Sequence, residues 1–490
     1  MANTADFNER VVTIPGFTGI DQSRGIHNSD LTTSPDSLNF VSRFGFLRTH
    51  HGVSAQFPAL PVGCSGVKQA FFRNPDTQQD STYLMAFGDG NVYVLKQGGW
   101  HQIGSGFTSD QWSGVNYRHE EDDWFVMTNG TNPLKYWDGN EMQLKDIVPK
   151  QGNEPIVFEH LTLLYERLWG AVYPSQPDRI YWSESFEPDN WEVNFDLPDA
   201  GGGFVDVATF DGSRIRAIVA AFDDVLIFKD KSMHRLNGTY PGEFNLTQVY
   251  GSEGTLAYGT IVHTADRLYF LGSDGLCIYD GMTVSSFTHM GDRKLREVWG
   301  RLNKAAIQKA RACIFDDVLY LSLPLDNAAY NSHVVEYSLK DGTYSLMDFA
   351  GINDWLVYRE GQEEKLMCLV YNQLYVYDTG TNFCGRAINA YWLSPEVTLG
   401  TLTTKKKVGR IYLSVNTQSL DINEDPEIKI TLLSGNKERT KTIRLKNGSN
   451  ILRQRIKVRG RSFRFKIETV NGNPLTINRG MEIMLEEDSD

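Results

Sequence analysis

The 490-residue sequence predicts an all-β protein, and three observations lead there. Aromatic residues make up 12% of the chain, with 22 Tyr and 10 Trp, a composition that favours pleated sheets. Glycine outnumbers proline 44 to 17, which provides for many tight turns. Above all, one phrase recurs: a polar or acidic turn, an aliphatic strand, a Gly- or Asn-rich turn, then a second strand. "TADRLYFLGSDGLCIYDG" at 264–281 shows it in full, with cousins at 222–238 and 315–324.

The phrase begins near Ser81, Asp122, Glu166, Asp223, Asp266, Asp316 and Glu364. Those seven starts lie roughly 42 to 57 residues apart, and a period of that size with about four strands per unit is the signature of a β-propeller. A strand often precedes the phrase, as in "SRIRAIVAA", and a weaker outer strand follows it. Several units close on Asp-Gly pairs (Asp138-Gly139, Asp280-Gly281, Asp341-Gly342), which suit turns needing positive φ. A lone four-stranded sheet cannot bury both faces, whereas sheets packed radially cover one another. We read residues 61–386 as a propeller of about seven blades; the irregular ends leave six or eight open.

One helix is expected inside it. In "DRKLREVWGRLNKAAIQKA", 292–310, Leu295, Val298, Trp299, Leu302 and Ala306 recur at helical spacing. The helix reads either as packed on the rim or as a subunit contact. Residues 1–60 fall outside the repeat and read as an extended N-terminal arm, with Phe17, Leu38, Phe40, Phe44 and Phe46 as docking side chains. From Ala387 onwards the pattern changes to that of an antiparallel, sandwich-like β domain, 387–490. There Arg453, Arg455, Lys457, Arg459 and Arg461 alternate along one strand, placing five cations on one face. They read either as a strip for an acidic protein or nucleic acid, or as a solvated face. The apolar parity flips near Gly460, which predicts a bulge there.

Net charge is −13, unevenly spread. Residues 387–490 hold 18 Lys plus Arg against 12 Asp plus Glu, a balance of +6 that leaves −19 on the first 386 residues. An acidic main body argues against duplex-DNA binding. The start shows no secretory signal pattern and no apolar run approaches a membrane span. The five cysteines (Cys64, Cys277, Cys313, Cys368, Cys384) are odd in number, widely spaced and lack a CxxC pair, so they read as reduced.

The search for chemistry yields little. HExxH, GxSxG with partners, a Walker loop, the sialidase-type box and the WD40 and kelch hallmarks are missing. His50-His51 is the one His pair, and adjacent strand residues point to opposite faces. The run Glu120-Glu121-Asp122-Asp123 lacks the alternation of a calcium loop. No catalytic, metal or cofactor-binding residue is assigned, and no enzymatic activity is expected.

The layout resembles the packaged-DNA stabilisation, or tail hub and nozzle, proteins of short-tailed bacteriophages. The likeness is carried by "GIDQS" (19–23), "SPDSLNF" (34–40) and the Phe-Leu-Arg to Gly stretch (46–52), by the expected helix before "DDVLYLSLP…VVEYSLKDGTYS", and by a C-terminal β region. The resemblance implies a structural virion protein of the tail, made and assembled in the host cytoplasm. It implies a homo-oligomeric ring, a hexamer in the relatives, that extends the portal channel. Its implied partners are the head–tail adaptor ring, tail fibre or tip proteins, and double-stranded DNA retained and then passed through the lumen, without membrane insertion. Phe17, Phe40, Phe44, Phe46, Leu295, Trp299 and the five cations of 453–461 are the candidate interface residues. A stand-alone propeller binding glycans or peptides, and a virion-borne glycan hydrolase, are the competing readings.

Overall fold

In the computed structural model the described residues are 9–23, 30–73, 80–150, 156–197, 199–249, 253–287, 292–420 and 425–487. Among them, seven four-stranded antiparallel sheets follow one another along the chain. The second strands of these sheets are Asp80–Gly88, Asp122–Thr128, Arg167–Tyr173, Asp224–Lys229, Leu268–Leu271, Val318–Leu323 and Glu363–Val370. Each lies at one of the seven repeat starts read from the sequence. The first strands, such as Ile215–Ala221 and Arg311–Phe315, line the axis and touch their counterparts in neighbouring sheets.

The core explains why the phrase repeats. Seven separate apolar clusters each straddle two neighbouring blades. The last of them packs Met367, Leu369 and Leu374 of the seventh blade against Val67, Leu84 and Ala86 of the first, so the circle closes. Each blade thus buries both faces, and the residues that recur are those that fill these shared cores. The fold is an all-β propeller of seven blades.

Turn chemistry matches the geometry. The hairpin turns at Tyr165-Glu166, Phe222-Asp223 and Asp316-Asp317 hold both residues at positive φ, the two-residue turn whose twist suits flanking strands.

Among the described residues, 9–23 and 30–60 do not form a separate arm. Val53–Ala55 pairs with Gln373–Tyr377 as the outer strand of the seventh blade, so the circle is closed by the N-terminal side of the chain. Upstream, Glu9–Ile14, Phe40–Arg43 and Phe46–Thr49 join a six-stranded sheet with Lys406–Thr417, Gly448–Gly460 and Leu475–Glu487. Asp36–Leu38 joins a five-stranded sheet with Tyr391–Leu393, Glu427–Ser434, Lys437–Arg444 and Arg464–Val470. One core fills the space between these two sheets, with Phe17, Phe40, Trp392, Ile430, Phe465 and Ile483 among its members. The C-terminal sandwich is therefore completed by N-terminal strands.

Two local expectations are corrected. The helix over 292–310 is one turn, Arg296–Gly300, followed by a 3-10 turn at Ile307–Lys309. Gly300 weakens the helix. Asn303 then ends the run by donating its N–H to Pro324 O at 2.8 Å while its Oδ1 accepts from Ala305 N–H at 3.1 Å. At Gly460 there is a corner in place of a bulge: Gly448–Gly460 lies in one sheet and Arg464–Val470 in the other. The apolar parity flips because the two strands approach the same core from opposite sides. Register slips in this sheet lie elsewhere, between Val408 and Arg410 and between Leu413 and Val415.

Candidate functional site

Three places concentrate polar chemistry: the junction between propeller and sandwich, the mouth of the propeller channel, and the basic edge of the sandwich.

At the junction, residues 19–23 and 30–52 run along the outer side of the sixth and seventh blades. Gly19 adopts φ +84° with its Cα so near the Tyr344 carbonyl that a Cβ would stand 2.6 Å from that oxygen. Ile20 N–H donates to Tyr344 O at 2.9 Å, and Gln22 ties to the one-turn helix region through Lys294 O (2.9 Å) and Glu297 N–H (3.0 Å). Asn39 is fully buried at φ +59° and bonds with Leu346, Asp348 and Asn389. Gly52, at φ +84°, sits where a Cβ would be 2.4 Å from Asn382 O.

Below this seam lies a buried charge cluster. Arg48 pairs with Asp378, donating to Oδ1 at 3.0 Å, and Arg43 reaches Glu336 at 3.4 Å. His50 accepts from Gly52 N–H at Nδ1 (2.8 Å), which leaves the proton on Nε2, 3.5 Å from Glu336 Oε1 and 3.7 Å from Asp378 Oδ1. Tyr377 OH donates to Glu336 Oε1 at 3.2 Å. Burial holds the imidazole down to about 4. Burial, with the Asp378 charge nearby, raises Glu336 to about 7. Burial alone would raise Asp378 too, but His50 and Arg48 outweigh it and hold that carboxyl well below the usual range. This cluster joins two bodies of the chain. His51 is half-exposed, but its N–H donates to Asp378 Oδ1 at 3.0 Å and its Nδ1 lies 3.9 Å from that oxygen, so both histidines border Asp378; among the described residues no group of three or more His, Cys, Asp or Glu is placed to hold a metal ion.

The channel mouth is a cavity of about 580 Å³ lined from all seven blades. Gln111, from the connection between the first two blades, reaches Tyr258 and Arg311 on the fifth and sixth; Arg311 Nη2 donates to Gln111 Oε1 at 3.2 Å and stacks over Tyr258 at 5.2 Å. His160 leans on the Tyr258 ring, and burial lowers its basicity to about 4. Lys68, Glu159 and Asp354 also line the mouth. This polar tie crosses the axis.

The candidate interface residues separate into two groups. Phe17 and Phe40 are buried in the sandwich core and Leu295 in the core between the fifth and sixth blades, so none offers a surface to a neighbour. Trp299 is half-buried, packed over Gly275. Phe44 is 67% exposed at a positive-φ turn, and Phe46 is half-buried. Arg453, Arg455, Lys457 and Arg459 are all exposed while Leu452, Ile456 and Val458 point inward, so the alternation is real. Arg461, past the corner, is exposed too, and Arg453 lies over Tyr412 at 5.9 Å. Sequence reasoning missed Glu336, Asp378 and Asn39: nothing local marks a residue whose partners lie about 300 positions away.

No family model and no curated protein matches the chain. Among solved structures it is similar to U3-55K (9% identity, TM-score 0.41, covering 66% of this chain and 98% of that one). It is similar to the RRP9 WD40 repeats (11%, 0.40, 66% and 99%). It is also similar to the extracellular domain of the putative hybrid two-component system BT4673 of B. thetaiotaomicron (9%, 0.43), spanning 87% of this chain and 61% of that one. The propeller here is defined by its own seven sheets and the cores between them.

Proposed function

We propose that this β-propeller protein is a structural subunit of a short-tailed bacteriophage tail, one copy in a ring that extends the portal channel, retains packaged DNA and passes it at infection. One observation supports the reading most. The phrases that carry the sequence resemblance, 19–23, 34–40 and 46–52, are the ones that stitch the sandwich to the sixth and seventh blades. Strands Asp36–Leu38, Phe40–Arg43 and Phe46–Thr49 pair into the sandwich, and Val53–Ala55 pairs into the propeller a few residues later. A wall that holds pressurised DNA needs such continuity, since interfaces between loosely linked domains move by default. The body charge of −19 disfavours adhesion of a phosphate backbone, so DNA slides past.

The second reading, a propeller that binds a glycan or peptide, is favoured by the channel-mouth cavity. Native mass spectrometry and electron microscopy of infected-cell lysates test between them. Rings of this chain within tails support the first reading. A monomer absent from particles and stabilised by a glycan or peptide supports the second and overturns the first.

A further inference from the structure

The topology collects charge of opposite sign at two separate places. In an up-and-down propeller, the turns joining first to second strands all lie at one end of the axis. In five described blades that turn carries an exposed carboxylate, Glu121, Glu166, Asp223, Asp266 and Asp317; in the seventh the turn is Gly361-Gln362, and the exposed Glu364 lies on the strand just past it. Arg267, Lys340 and Arg359 offset three of them. Asp favours several of these turns for backbone reasons, but Glu121 and Glu166 are not turn formers and Glu364 lies on a strand, so the shared sign exceeds what the turns need.

The opposite charge lies on the sandwich. Lys437–Arg444 and Gly448–Gly460 are the end strands of the two sheets and lie beside one another. Residues 437–461 hold ten Lys and Arg against one Glu. Along Gly448–Gly460 the exposed cations recur every second residue, about 6.8 Å apart. Arg444 pairs with Glu427; among the described residues no carboxylate engages Arg439, Lys441, Arg453, Arg455 or Lys457. Single charges protect any sheet edge from pairing, but an unbroken row on two adjacent edges is more than protection requires. Ile451, 86% exposed, sits among them, an apolar contact within the charged field.

We infer that this double edge docks on the acidic end of the propeller in a second copy of the chain. The two faces are different, so the contact is heterologous and propagates into a ring or a filament. This rests on the ring reading above and assigns its contact faces.

The test uses two full-length variants. One carries Arg453→Glu, Arg455→Glu and Lys457→Glu; the other carries Glu121→Lys, Asp266→Lys and Glu364→Lys, all outside the left-handed backbone positions. Sedimentation is measured at about 50 mM and about 500 mM salt, where screening differs several-fold in range. The wild type associates at low salt and dissociates at high salt. Each variant alone associates at least roughly tenfold more weakly, and mixing the two restores association, because both reversed and both native faces then match. A merely misfolded variant is not rescued by mixing. Wild-type protein that stays monomeric at low salt, or variants that associate alone like wild type, overturns the assignment. So does low-salt binding to a DNA duplex that the first variant loses while self-association persists. Rings in tails whose formation ignores these substitutions overturn the interface and leave the tail role standing.

Discussion

Asn39 and Asp348 hold each other in a closed pair: the Asn39 amide donates to Asp348 Oδ1 at 2.8 Å, and the Asp348 backbone N–H donates to Asn39 Oδ1 at 2.9 Å. The same amide donates to Asn389 O at 2.8 Å. Three segments far apart in sequence thus meet on one buried side chain held at positive φ, where Asn is among the few tolerated residues. Asn39→Ala leaves buried groups unpaired and keeps the strained backbone. We expect a loss of roughly 2–4 kcal/mol in denaturant unfolding. Asn39→Gly removes the strain and costs less. Equal losses for both would show that the backbone conformation contributes nothing.

The charge cluster beneath predicts a pH dependence of unusual form. An imidazole held at about 4 in the folded chain takes up its proton near 6.5 in the unfolded one, so its contribution is lost as pH falls from 6.5 to 4. A carboxyl raised to about 7 works the other way: the folded chain keeps a proton that the unfolded chain releases above 4.5, so stability is gained as pH falls from 7 to 4.5. Asp378, held low, acts only below this window. The two slopes oppose each other in wild type. Glu336→Gln leaves stability falling towards acid by up to about 1.4 kcal/mol per pH unit. His50→Gln leaves it rising. Parallel pH profiles for the two variants would contradict the arrangement.

Closure of the circle by Val53–Ala55 makes the seventh blade depend on the N-terminal side. Val53 is buried between the sixth and seventh blades. Val53→Asp places an unpaired carboxylate there, and we expect a loss of about 3 kcal/mol or more, with proteolysis starting in the seventh blade. Deleting residues 1–45 should leave propeller strands intact but expose the sandwich core that Ile14, Phe17 and Phe40 fill, giving aggregation. A soluble, monomeric deletion variant would show that the sandwich closes without them.

The thiols give an independent check on packing. Burial pushes Cys64 and Cys313 up to about 12, and Cys277 and Cys368 are raised as well. Only Cys384 is exposed. Alkylation of the native protein followed by mass mapping should label Cys384 first, and the other four only on unfolding. Early labelling of Cys64 would place its blade cluster open to solvent.

The propeller was legible because its cause is local and repeated: every blade needs the same inner strands and the same turns, so the chain restates them. The alternation of Arg453, Arg455, Lys457 and Arg459 was legible for a similar reason, since sheet period is two. The fate of residues 1–60 was not. Strand partners such as Ile14 with Met481, or Val53 with Tyr377, are set by tertiary pairing that no local pattern records. The overlong helix failed because apolar spacing cannot register Asn303 leaving the helix to bond with Pro324. Gly460 misled because a change of sheet and a bulge produce the same parity flip.

The most direct test of the central claim, the tail role proposed above, is cryo-electron microscopy of short-tailed particles assembled in cells that express this chain. The account predicts copies of a seven-bladed propeller, each fused to its sandwich, arranged as a closed ring around the channel below the portal. Tails without this chain, or with it bound singly at the particle surface with its channel mouth occupied by a ligand, would contradict it.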